Sequence, residues 1–391
     1  MPPLAIPARL PDELVIEVFR NSVLSNNDLA NCSLVARRFV EKVRLSLYGD
    51  IFIFLACIES TGGDNNEGRS QFEDRYEYDS ASRKLLRTLL DEPGIGRLVF
   101  RITFFNLDFQ TIRSDSPGLE TTPLTALSTF LRLTPQLRII NLGWYWPHPV
   151  ASLKIIRRYQ GITELTLSVV EDEQIDIIAR GFPNLKRLRL RLYHVGMSAA
   201  TNSFQIPQNL ETIDITHGYL QPQVLLVSSN ATTLRRLFVE VQLAAELDFT
   251  TFPALEALVL RSNAPNSAVT SGLNRKRTRL WNSLCQAPSL HSLTFINSSR
   301  PSAFDTLLFV SSDCEPLSGP LKPIPTLKQI RFSGSVHLNQ ANILLSGPLG
   351  TTLNRVCVHG LPPIIRTEEK NKIKFVEMIC KEKGIEFYVN L

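Results

Sequence analysis

The chain has 391 residues, 43% hydrophobic and 20% charged, which excludes wholesale disorder and points to a packed protein of two or three domains at about 150 residues each. A formal net charge of +5 is too small at this length to argue for nucleic acid as a partner. The longest strongly apolar run, IFIFLACI (51–58), is too short to span a bilayer as a helix, so no membrane partner is expected.

The opening MPPLAIPARLPDE has neither a basic start nor a long apolar stretch, so no signal peptide is expected. The six cysteines are scattered without a CxxC pair, which fits reduced thiols in a cytoplasmic or nuclear protein. Residues 1–9 read as a tail. A helix is then predicted from Pro11, whose missing N–H costs nothing at a first helical position. Asp12 and Glu13 suit the positive end of that helix. Leu14, Val15, Val18 and Phe19 form its apolar stripe. The polar break SNND (25–28) follows, and Asn26 or Asn27 caps a second helix. There Leu29, Cys32, Val35 and Phe39 recur at helical spacing, with Leu34 beside them. Helices this short are marginal alone in water. Their apolar faces need cover from the rest of the chain or from another protein.

EKVRLSLYGDIFIF then moves from a short helix into a strand. Residues 51–94 read as that first strand, a polar acidic loop (61–80) and a linking helix. Within LLRTLLDEPGIGRLVFRI (85–102) a helix precedes a strand. PLTALSTFLRL (123–133) is a helix following Thr121 and Thr122. GWYWPHP (143–149) sets Trp144, Tyr145 and Trp146 directly after a predicted strand. Such aromatics anchor interfaces, so substrate contact is one reading and core packing the other. DEQIDIIARGF (172–182) is a helix with Asp172 as N-cap, Ile175, Ile178 and Ala179 on one face and Gly181 as C-cap. NRKRTRLW (274–281) reads as a solvated loop, with a nuclear-localisation or acidic-partner patch as the alternative. The last helix is KNKIKFVEMICKEKG (370–384), stopped by Gly384, and IEFYVNL (385–391) is a terminal strand.

A repeat runs through this order. FPNLKRLRL (182–190) and FPALEALVL (252–260) share the pattern Phe-Pro-x-Leu-x-x-Leu-x-Leu. Weaker copies include TPQLRIINL (134–142), PQNLETIDI (207–215), APSLHSLTF (287–295) and IPTLKQIRF (324–332). The first apolar positions of the units are Ile95, Leu137, Ile162, Leu185, Leu210, Leu234, Leu255, Leu290, Leu327 and Leu353. A proline before the anchor, as at Pro135, Pro183, Pro253, Pro288 and Pro325, stops a preceding helix. The last two apolar residues of each unit alternate as a strand requires. From about residue 95 to residue 358 the chain resembles the leucine-rich-repeat family, whose period is about 20–29 residues. The asparagine or cysteine expected after LxxLxL is mostly absent, and three gaps exceed the period, so the resemblance implies an irregular α/β solenoid over 95–391.

Residues 10–51 as a whole, LPDELVIEVFRNSVLSNNDLANCSLVARRFVEKVRLSLYGDI, resemble the F-box. The match rests on Leu10, Pro11, Glu13, Leu14, Asp28, Leu29, Cys32, Ser33, Leu34, Val35, Arg37, Arg38, Leu47 and Tyr48. Ala36 stands where cysteine is common and Phe39 where tryptophan is common. The resemblance implies a three-helix module over 10–50 that docks on the Skp-type adaptor of Skp–cullin–F-box ubiquitin ligases through Leu10, Pro11, Leu14, Val18, Leu29, Leu34, Val35 and Phe39. It also implies a downstream domain that captures a protein substrate. The alternative for 10–48 is a cap closing the first hydrophobic face of the repeats.

No enzyme signature stands out. GIGRLVF (94–100) lacks the final glycine of a nucleotide-binding loop, and GMSAA (196–200), with Ser198, lacks that of a nucleophile elbow. The six histidines do not pair at metal spacing, and Cys357 with His359 reads as ordinary packing. The expected fold class is α/β, an F-box followed by an irregular leucine-rich-repeat solenoid. The expected function is that of a non-catalytic ubiquitin-ligase substrate receptor without a cofactor, the alternative being a repeat scaffold with no ligase link.

Overall fold

The structure is a computed structural model. It describes residues 44, 46–58, 75–107, 119–143, 146–169, 172–192, 203–205, 209–217, 225–227, 232–240, 244, 247–262, 273–297, 323–333, 345, 352–359 and 367–390. The chain is mixed α/β and divides into two compact units between Ser168 and Val169.

The first unit contains strands β1 (Asp50–Ile58), β2 (Arg75–Tyr78), β3 (Arg101–Leu107), β4 (Glu120–Thr121), β5 (Ile139–Leu142) and β6 (Glu164–Val169) in the spatial order β4-β2-β1-β3-β5-β6. The pairings β4–β2 and β2–β1 are antiparallel. From β1 onward, through β3 and β5 to β6, they are parallel. Parallel neighbours need crossovers, and helices supply them. These are α1 (Ser80–Asp91), α2 (Pro93–Gly96), α3 (Pro123–Leu133) and α4 (Pro149–Ile156). Asp79 caps α1 by accepting from the Ser82 N–H at 2.7 Å. Thr122 caps α3 by accepting from the Thr125 N–H at 3.1 Å. Alternate strand residues Ile53, Leu55, Ile102, Phe104 and Ile140 are fully buried, together with Leu127 and Phe130 of α3. Phe130 meets Phe104 edge-on at 6.0 Å and Tyr78 at 6.1 Å. Each such side chain contributes about 1.5–3 kcal/mol by leaving water.

The second unit holds β7 (Arg187–Leu192), β9 (Thr212–His217), β11 (Arg236–Glu240), β12 (Ala257–Ser262), β13 (Ser292–Asn297), β14 (Gln329–Ser333), β15 (Arg355–His359) and β16 (Glu386–Asn390), adjacent in that order. All of these neighbours pair in parallel. A separate parallel pair joins β8 (Ser203–Gln205) to β10 (Leu225–Val227). Among the described residues of this unit the helices are α5 (Asp172–Gly181), α6 (Leu273–Cys285) and α7 (Thr367–Glu382), with a 3-10 turn at Phe249–Thr251.

The strands start in phase because the turns before them are alike. The anchors Leu185, Leu210, Leu234, Leu255, Leu290 and Leu327 are all 0% exposed. One carbonyl of each turn accepts two successive N–H groups of the next, as Lys186 does from Glu211 and Thr212 at 2.8 and 2.9 Å. Glu211, Arg235, Glu256, His291 and Lys328 repeat the arrangement. Pro135, Pro183, Pro253 and Pro325 each sit in the turn ahead of the anchor, where no N–H is required of them.

Several expectations are corrected. Ile95 is buried but belongs to α2, and the residue two before β3, where every later anchor lies, is Val99, which is fully buried. The reason is Pro93, which opens a helical turn and takes Ile95 into it. The polar loop over 61–80 ends earlier than expected, since Arg75–Tyr78 is strand β2, and alternation buries Tyr76 and Tyr78. Asp172 and Gly181 lie inside α5 as its first and last residues, a one-residue displacement of both ends. The basic stretch 274–281 is helical within α6, because Leu280, Trp281 and Leu284 bury on one side of it. Gly384 does end α7, at φ 69°, with the Ile385 N–H returning to the Cys380 carbonyl at 2.8 Å.

Candidate functional site

Strand alternation gives each sheet a core face and an outer face. In the second unit Leu188, Leu190, Ile213, Ile215, Leu237, Val239, Leu258 and Leu260 all point to the core. Because every pairing is parallel and in register, the intervening residues line up across the strands. The middle row runs Arg189, Asp214, Phe238, Val259, Thr294, Arg331, Cys357, Tyr388. The row toward the strand starts runs Arg187, Thr212, Arg236, Ala257, Ser292, Gln329, Arg355, Glu386. Neighbours in a row stand about 4.8 Å apart. Such a surface presents a regular array of side chains.

Its electrostatic centre is Asp214, whose side chain is 7% exposed. Arg261 donates to it through both terminal nitrogens, Nη1 at 2.5 Å and Nη2 at 3.2 Å. Arg189 donates through Nε at 2.9 Å. The Arg261 guanidinium also lies over the Phe238 ring, 5.5 Å from its centroid. At the far end Arg355 donates to Glu386 Oε2 at 3.0 and 2.9 Å and stacks 5.0 Å over Tyr388. The hydrogen bond to Glu386 raises the Arg355 pKa. Cys357 shares the outer face with His359 on β15, and its sulfur accepts from Gln329 Nε2 at 3.2 Å. Among the described residues no group of three His, Cys, Asp or Glu is placed to hold a metal, and no helix is long and apolar enough to cross a membrane.

The outer face of the first unit differs in chemistry. Phe105 stacks on Phe54 at 5.0 Å and on Phe52 at 6.1 Å, and Phe52 remains 52% exposed. Arg101 pairs with Asp50 at 2.8 Å beside them. On the helical side, α3 and α4 border a groove of about 470 Å³ lined by Leu124, Ser128, Arg132, Ile155, Arg158 and Tyr159.

The residues singled out from the sequence fall unevenly on this frame. Leu10, Pro11, Leu14, Val18, Leu29, Leu34, Val35 and Phe39 lie outside the described residues, as do Trp144, Tyr145 and Ser198. Trp146 is corrected from a possible substrate contact to a core residue. It is 6% exposed, packs 5.1 Å from Phe104 and donates its indole N–H to Ser152 Oγ at 2.8 Å. The chain turns at His148, left-handed at φ 52°, and α4 begins at the next residue. Ser152 in that helix then satisfies the indole, which suits Trp146 to the interior. Sequence reasoning missed Asp214 and Arg261, because a lone Asp and a lone Arg, 47 residues apart, meet only through strand register. The available signal was strand alternation, which turns both outward: Asp214 lies between the last two apolar residues of its unit, and Arg261 follows the last apolar residue of its own.

No protein-family model matches this chain, and no curated protein sequence matches it.

Proposed function

We propose that this chain is a non-catalytic substrate receptor of a Skp–cullin–F-box ubiquitin ligase. In this reading residues 10–50 form the F-box helices that dock on the Skp-type adaptor, and the cullin core joins through that adaptor. The units that follow form an irregular leucine-rich-repeat solenoid that holds a target protein. The work is done by raising effective concentration at the conjugating enzyme, without acid–base chemistry. The protein acts in the cytoplasm or nucleus, where that machinery and reduced thiols coexist.

The observation that supports the reading most strongly is the pairing of two features in one chain. The stretch LPDELVIEVF…NNDLANCSLVARRF carries an adaptor-type pattern. The second unit carries a laterally extended outer face whose side chains stand in register. A scaffold without a ligase link needs only the second feature.

Binding of the full chain to a purified Skp-type adaptor tests the proposal. The wild type is expected to form a stable complex, and Leu14→Asp/Leu34→Asp is expected to lose it while its circular dichroism is retained. A folded wild type that binds no adaptor refutes the ligase reading and leaves the scaffold reading.

A further inference from the structure

We propose that the outer face of β7, β9, β11 and β12 is a docking site for an extended, carboxylate-rich segment of the target protein. This rests on the receptor reading only in naming the segment's owner as the target.

The two rows already described and the next one along the strands, Arg191, Thr216, Glu240 and Arg261, together present Arg187, Arg189, Arg191, Arg236 and Arg261. Against them stand two carboxylates, Asp214 and Glu240, and both residues are buried. Five guanidiniums thus share these rows with two carboxylates, so the formal charge of the rows is positive. Four strands at about 4.8 Å and three rows at about 6.8 Å make an area near 14 by 14 Å, which an extended segment of four or five residues crosses.

The patch is also pre-organised. Asp214 holds Arg189 and Arg261 at once, and Phe238 supports the Arg261 plane from below. Arg189 engages Asp214 through Nε and its side chain is 56% exposed, so the guanidinium remains open to solvent. Arg236 is exposed at the start of the next strand but one, β11. A guanidinium already fixed loses less freedom on taking up a second acid. The existing Asp214 contact shows that this face accommodates a carboxylate between two guanidiniums. A nucleic-acid backbone asks instead for an unbroken cationic track, and here Asp214 and Glu240 interrupt it.

Fluorescence anisotropy on the full chain tests the proposal, using a labelled ten-residue Asp/Glu-rich peptide and its Asn/Gln analogue as probes. The acidic peptide is expected to bind at least about tenfold tighter than the neutral one and to weaken as salt rises from about 50 to 300 mM. Arg189→Gln/Arg236→Gln is expected to lose about tenfold, while Arg331→Gln, on the same outer face at β14, changes binding less than about threefold. The mild substitutions avoid placing a new acid beside Asp214, and circular dichroism checks each fold. Equal binding of both peptides, no binding, an unaffected double variant, or a preference for single-stranded RNA of the same length each overturns the proposal. Adaptor binding is measured on the same samples. Its loss with peptide binding intact removes the receptor reading alone, and the reverse removes the docking site alone.

Discussion

Replacing Asp214 by alanine strips the counter-ion from two arginines, and the two should respond differently. Arg261 is 21% exposed and Asp214 7%, so their contact is largely withdrawn from water. Removing one member of such a pair costs about 3–5 kcal/mol when the remaining charge is fully buried. Arg261 keeps some water and the Phe238 ring, so the expected loss is about 2–3 kcal/mol. Arg261→Ala leaves Asp214 paired with Arg189 and should cost about 1–2 kcal/mol. Arg189 is 56% exposed, and Arg189→Ala should cost less than about 1 kcal/mol. Double-mutant cycles in urea denaturation, followed by tryptophan fluorescence and circular dichroism, read these terms. Midpoint shifts are compared within one transition, because two compact units need not unfold together. The 214–261 coupling should be about 1–3 kcal/mol and insensitive to salt, and the 189–214 coupling smaller and screened. Stability of Asp214→Ala within about 0.5 kcal/mol of wild type, or equal couplings in the two cycles, would refute the burial argument.

Two further outcomes follow from buried groups. Trp146→Phe leaves Ser152 Oγ, in a fully buried residue, without the indole donor; a stability loss of about 1–3 kcal/mol is expected, with binding of the acidic peptide unchanged. Weaker peptide binding at unaltered stability would return Trp146 to the contact surface. Burial, with Glu377 adding to it, raises the Cys380 thiol pKa from about 9 to about 11. The unfolded chain then loses this proton first as pH rises. Between pH 9 and 11 the wild type should therefore lose stability relative to Cys380→Ala, and it should keep the full contribution below pH 9. Parallel pH profiles for the two proteins would show that the site is not shielded from water.

Much of the local structure was legible because it follows from short-range rules. α3 begins after Thr122, and α7 ends before Gly384, as capping and left-handed glycine dictate. The anchors from Leu137 to Leu353 are all buried, since an apolar residue recurring at the head of each unit has to leave water. The errors arose where a neighbour outweighs composition. Basic residues made 274–281 read as a loop, yet Leu280, Trp281 and Leu284 draw it into a helix. Trp146 carries the composition of an interface anchor, but Ser152 and Phe104 claim it for the core.

By itself the sequence determined the period, the turns and which side chain of each unit leaves water, because those depend on residues within a few positions of one another. Which outer-face residues become neighbours was decided only by tertiary structure. Arg189, Asp214, Phe238 and Arg261 come from four units and meet because parallel pairing holds the strands in one register. A shift of one residue in any of those strands would turn its arginine or aspartate into the core and its leucines outward. Burial of the leucines thus sets the register, and the register in turn assembles the charged patch.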